Sequence, residues 1–127
     1  MFKTLEIFKV SHAMATHAAT RQAVVAENMA NADTPDYRAR DITPFKEIYR
    51  ADEGNTAMRT TREGHVGGAL QARDAAAHEA AFEVSPNGNS VSLEEEMLKS
   101  VEVKRQHDRA LAIYKHSLGV IRTTLGR

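Results

Sequence analysis

The chain has 127 residues, with 17 Lys plus Arg balanced by 17 Asp plus Glu, so its formal net charge is zero. That balance argues against a protein built to coat nucleic acid or an anionic membrane. With no cysteine, disulfides, thiol catalysis, iron–sulfur clusters and cysteine-based zinc sites are excluded together.

The apolar fraction of 42% overstates the core, because 20 of those residues are alanine. Leu, Ile, Val and Phe together number 25 of 127, just under the roughly one-fifth level at which chains begin to lose a packed core. The expectation is a chain that folds poorly alone and buries its apolar surface with partners. No stretch approaches the roughly 18 to 20 apolar residues of a membrane-spanning helix. The start also lacks a secretory signal pattern, since Lys3, Glu6 and Lys9 interrupt the run from Phe2 to Val10. On this ground the protein is expected to be cytoplasmic, or to leave the cytoplasm without a cleaved peptide.

A first helix is expected over 3–31, a stretch with neither Pro nor Gly. Phe8, Ala15, Ala18, Ala19, Val25, Ala26 and Met29 form one narrow stripe of mostly small side chains. Small residues let another helix approach closely but each contributes little burial energy. At 1.5 Å per residue this helix is about 43 Å long. Asn31, Asp33, Pro35 and Asp36 stop it, because Pro35 lacks an N–H and pushes Thr34 out of helical space.

The middle, 32–91, holds all three prolines and most of the glycines and is expected to be irregular and partly flexible. Ile42 to Tyr49 and Ala81 to Val84 are short apolar pieces that fit a helical turn or a strand. The alanine-rich stretch Ala69 to Ala81 is a weak helix candidate. Asp52 to Asn55 and Pro86 to Asn89 are turn signals.

A second long helix is expected over 92–126. Ser92 and Glu95 fit a capping box, and Glu94, Glu95 and Glu96 sit where the helix dipole favours negative charge. Leu93, Met97, Leu111, Tyr114, Leu118, Ile121 and Leu125 fall on an alternating four-and-three spacing, with Ser100, Lys104 and His107 between them. This is a heptad seam, apolar at both ends and polar in the middle. A helix about 50 Å long cannot bury itself on a small core and must lie along another long helix or along neighbouring subunits. The expected fold is therefore mainly α: one domain over 1–127 whose two long terminal helices pack as an antiparallel, coiled-coil-like pair.

No catalytic or cofactor chemistry stands out. Among the six histidines, His12 and His17 are five apart and His107 and His116 nine apart, and no H-E-x-x-H occurs. Gly64 to Gly68 does not match a phosphate loop, and no G-x-S-x-G elbow is present. Consecutive carboxylates at 94–96 point about 100° apart on a helix and do not converge. Arg38, Arg40 and Tyr37 form a small basic-aromatic patch, but Asp33, Asp36 and Asp41 neutralise it. No catalytic residue, metal or cofactor is therefore expected.

The segment from Ala26 to Ile42, AENMANADTPDYRARDI, closely resembles the signature of the bacterial flagellar rod and hook protein family. It contains the motif turn Asn28, Ala30, Asn31, Thr34, Pro35, Asp36 and Tyr37. The segment from Ser85 to Met97 carries the same resemblance, and the short chain and the Ala39-Arg40-Asp41-Ile42 continuation look most like a proximal rod member. Where the family usually has Gly before Tyr, this chain has Asp36. With Pro35 at the second turn position, Gly would permit a positive φ at the third. Asp tolerates that conformation and also fits a type I turn.

The resemblance implies a structural subunit exported by the flagellar type III apparatus without a cleaved signal, in the periplasmic rod of the basal body. It implies self-association in a helical assembly and contacts with other proximal rod proteins, the MS-ring-adjacent adaptor FliE and the export gate. No nucleic acid and no membrane insertion are implied. Phe8, Ala15, Ala18, Val25, Met29 and the seam Leu93, Met97, Leu111, Tyr114, Leu118, Ile121 and Leu125 are the expected assembly interface. The alternatives are another rod or hook family member and a soluble helical adaptor.

Overall fold

The computed structural model describes residues 2–53, 77–80 and 83–126. In chain order these form α1 (Phe2–Ala30), β1 (Arg40–Asp41), α2 (Phe45–Glu53), β2 (His78–Glu79) and α3 (Leu93–Thr124).

The two long helices lie side by side and antiparallel. Phe8 meets Tyr114 edge to face at 5.2 Å between ring centroids, Gln22 Nε2 donates to Ser100 Oγ at 3.4 Å, and Asn28 Nδ2 donates to Glu96 Oε2 at 3.1 Å. Partner numbers on α3 fall as those on α1 rise, which fixes the direction. The seam between them is narrow and small. Ser11, Ala18 and Val25 are buried on α1, and Glu96, Val103, Ala110 and Ser117 are buried on α3, each set at intervals of seven. A seven-residue repeat keeps one face of each helix toward its partner, as in a coiled coil.

That face of α3 is not the apolar line on the four-and-three spacing, which lies one residue further along. The large apolar line Leu93, Met97, Leu111 and Leu125 is exposed, and its neighbours one residue earlier, Glu96 and Ala110, are buried. Tyr114, also on the expected seam, is exposed yet touches Phe8. The residues buried between the helices are small or of middle size, and at the far end Glu96 is hydrogen-bonded to Asn28 and Lys99.

Both helix boundaries follow from local chemistry. Ser92 has extended φ and ψ, and its Oγ accepts from the Glu95 N–H at 3.5 Å, the hydrogen bond expected of an N-cap. Arg122 stands in the last turn, where the dipole favours a cation. α1 closes through Asn31, whose N–H donates to the Glu27 and Asn28 carbonyls and whose side chain donates to Glu27 O at 2.8 Å. Tyr37 N then donates to Thr34 O at 3.4 Å, with Asp36 at φ +58°. Asp36 thus takes the left-handed conformation rather than that of a type I turn.

Among the described residues of the middle, one short helix and one two-residue strand pair interrupt otherwise irregular chain. α2 begins after Pro44, whose fixed φ suits a helix start, and its Glu47 N–H donates to Pro44 O at 2.9 Å. The piece from Ile42 to Tyr49 is therefore split: Ile42 is buried before the helix and Tyr49 lies within it. β1 and β2 pair antiparallel, Arg40 opposite Glu79 and Asp41 opposite His78. His78 and Glu79 correct the helix expected over Ala69 to Ala81, since they are strand; residues 69–76 and 81 lie outside the described residues. Of Ala81 to Val84, 81 and 82 also lie outside them, and 83 and 84 are neither helix nor strand. No helix among the described residues is long and apolar enough to cross a membrane.

Candidate assembly site

Asn28, in the last turns of α1, is fully buried and makes four hydrogen bonds. Its Nδ2 donates to Arg40 O at 2.7 Å and to Glu96 Oε2 at 3.1 Å, and its Oδ1 accepts from Arg40 N at 3.1 Å and Tyr37 OH at 3.4 Å. The side-chain amide thus serves both backbone groups of Arg40, as a neighbouring strand would. It ties α1, β1, the motif turn and α3 to one point.

Glu96 is the α3 side of that point and is only 1% exposed. Its other oxygen accepts from Lys99 Nζ at 2.8 Å, and Lys99 also lies 3.5 Å from Asp41 Oδ2. Arg21 of α1 grips Asp41 with two hydrogen bonds, at 3.1 and 3.3 Å. Buried charges are tolerated only when paired and hydrogen-bonded, and these meet that condition. Burial disfavours the Asp41 carboxylate, but the hydrogen bonds from Arg21 and the Ile42 N–H, with the charges of Arg21 and Lys99, hold its carboxyl below the usual range. Burial pushes the Tyr37 phenol up, helped by the charges of Glu27 and Glu96 against that of Arg40.

A second buried amide works at the same end. Asn89 Nδ2 donates to the carbonyls of Asn31, Ala32 and Thr34 at 2.8 to 2.9 Å, and its Oδ1 accepts from Val91 N at 2.7 Å. It braces the turn that follows α1 by binding three of its carbonyls. Ser90 Oγ accepts from Ala39 N at 2.8 Å, Ser90 N donates to Tyr37 O at 3.0 Å, and Asp36 N donates to Asn87 O at 3.1 Å. The two segments that carry the family resemblance, 26–42 and 85–97, are thereby hydrogen-bonded to each other along their length.

The sequence-expected interface residues divide into groups. Ala18 and Val25 are buried in the helix pair, so in this conformation they join α1 to α3. Phe8, Ala15, Leu118 and Ile121 are half-buried. Met29, Leu93, Met97, Leu111, Tyr114 and Leu125 are exposed, with Met97 at 56% and Leu125 at 73%. Leu98 and Val101, which lay outside the expected line, are exposed beside Met97. Of the motif turn, Asn28 is buried, Asn31 and Tyr37 are half-buried, and Ala30, Thr34, Pro35 and Asp36 are exposed.

The sequence reading assigned Glu96 to helix-start electrostatics. The structure gives it a buried role instead, because it lies on the α1 side of α3 while Glu94 and Glu95 face outward. Arg21 carries no sequence signal beyond its charge, and Asp41 stands out only as part of the segment that resembles the family. His17 is buried, with Nε2 donating to Thr43 O at 2.9 Å and its ring 5.6 Å from Phe45, which stacks on Tyr49. No group of three or more His, Asp or Glu among the described residues is placed to hold a metal ion.

No family model matches the chain. Curated relatives do. The flagellar basal body rod protein FlgB of Agrobacterium fabrum is 33% identical over 115 residues, covering 87% of this chain and 86% of that protein. The FlgB of Cereibacter sphaeroides is 33% identical over 107 residues, covering 84% and 83%, and that of Salmonella typhimurium 30% over 105 residues, covering 75% of each. Identity at this level across most of both chains shows that this chain belongs to the flagellar basal body rod protein FlgB family.

Proposed function

We propose that the chain is a structural subunit of the proximal part of the flagellar rod, acting as one axial unit over 1–127 and having no catalytic role. It would join the MS-ring and export-gate end of the basal body to the rest of the drive shaft, and so support torque transmission and motility. The observation that carries this reading is the imbalance of apolar surface. The large side chains Leu93, Met97, Leu98, Val101, Leu111 and Leu125 are exposed along α3, while the described apolar core is mostly Ala and Val with one Ile. Such a helix pair is completed by neighbouring subunits, and a repeating head-to-tail contact that does not close produces a helical assembly. The relatives' shared name supports the rod over a soluble adaptor or a different axial protein.

The partners in this reading are further copies of the chain, other proximal rod proteins, the adaptor FliE and the export gate. The site in this reading is the periplasm, reached without a cleaved signal. An epitope-tagged chain in its own bacterium should co-purify with basal bodies. Recovery only in the soluble fraction, with swimming unchanged in a deletion strain, would overturn the reading. Leu118→Asp should stop rod assembly and swimming while export of the subunit continues. Normal swimming by that variant would remove the α3 line from the interface.

A further inference from the structure

The face that α3 turns toward α1 is not its most apolar one. Facing α1 are Glu96, Val103, Ala110 and Ser117; one residue further along stand Met97, Lys104, Leu111 and Leu118. A turn of α3 by one residue, about 100°, exchanges the first set for the second. Apolar area favours that exchange, since a Met and two Leu would replace a Glu, an Ala and a Ser, against one Lys in place of Val103, whose long stem can carry its charge to the edge of the seam. Something must oppose it.

We propose that the Asn28–Glu96 contact is a rotation lock, which holds α3 in a setting that leaves its large apolar line outward. Turning α3 would carry Glu96 away from Asn28, while Lys99, three residues along the same helix, turns with it. It would also draw Lys99 from Asp41 and weaken the clamp that Arg21 and Asp41 make between α1 and β1. Asn28 cannot follow, because Arg40 and Tyr37 fix its other bonds. A buried polar group that is satisfied in only one register selects that register at some cost in stability, as a lone polar core residue does in coiled coils. The chain thereby keeps from burying on itself the surface it would offer to others. That consequence for assembly rests on the function proposed above, whereas the rotation itself does not and is tested on the isolated full chain.

The absence of native cysteine makes the test direct. Met97→Cys and Ala110→Cys are made separately, and alkylation of each thiol is timed and normalised to its rate in denaturant. In the parent sequence Cys at 97 should react rapidly and Cys at 110, whose parent side chain is 1% exposed, about a hundredfold more slowly. Adding Glu96→Met should reverse that order. Glu96→Gln, which keeps an oxygen for Asn28, should preserve it. An unchanged order in the Glu96→Met background would overturn the lock. So would rapid reaction at both positions, because the cluster would then supply stability without choosing a rotation.

Discussion

The Asp36 carboxylate fills the space that a side chain on Gly88 would need. Asp36 sits at φ +58° and Gly88 at φ +80°, and a Cβ on Gly88 would overlap Asp36 Oδ1 and lie 3.3 Å from Asp36 Cα. The turn that ends α1 and the turn that precedes α3 therefore touch where only one of them carries a side chain. Gly88→Ala should cost about 1 to 3 kcal/mol in chemical denaturation, from the left-handed backbone and the overlap together. Asp36→Gly removes the overlapping carboxylate. In a double-mutant cycle the pair should cost less than the sum of the singles. Strict additivity would mean that the two turns are not in contact.

Asn89→Ala removes the donor shared by three carbonyls at the end of α1 and the acceptor for Val91 N. A buried polar group left without a partner costs about 1 to 3 kcal/mol, so a loss toward the upper end of that range is expected. Amide exchange at 28–37 should quicken along with it. A loss below half a kcal/mol would mean that water replaces the side chain easily.

The Asp41 cluster sets a pH dependence. The folded value of Asp41 lies below its ordinary 3.8, so its contribution is present above that value and is lost as pH falls through the folded one. Thermal melts should show stability falling on acidification below about pH 4, the ordinary Asp range. Asp41→Asn should be less stable at pH 7, because Arg21 and Lys99 lose their charged partner, and its melting temperature should change less between pH 5 and 3. An equal acid slope in both proteins would assign the effect to other carboxylates.

Ser92→Ala removes the cap of α3 and should cost about 1 kcal/mol. Ser92→Asp retains an acceptor for the Glu95 N–H and should recover part of it. The same loss in both variants would show that the hydroxyl matters for something other than capping.

Completion by neighbours predicts concentration-dependent melting of the isolated chain. The melting temperature should rise with protein concentration, and Leu111→Lys, at an exposed position, should abolish the rise while lowering stability at high dilution by about half a kcal/mol at most. A sharp melt independent of concentration in the parent chain would count against partner-dependent burial.

Much of this architecture follows from local rules. The helix ends are written in Asn31 to Pro35 and in Ser92 to Glu95, because caps and breakers act within a few residues of themselves. The antiparallel pairing follows from two long helices of unequal faces in a short chain, and the family resemblance from two linear segments. The hand of Asp36 and the identity of the buried face of α3 did not follow, although the residues involved were all in view. Apolar spacing alone ranks Met97 and Leu111 above Glu96 and Ala110 as seam residues. What reverses that ranking is Asn28, 68 positions away from Glu96, and a cluster with Arg21, Asp41 and Lys99 that exists only once α1, β1 and α3 are assembled. Periodicity reports which faces a helix owns; the choice among them depends on polar partners brought together from distant parts of the chain, and that information belongs to the tertiary structure.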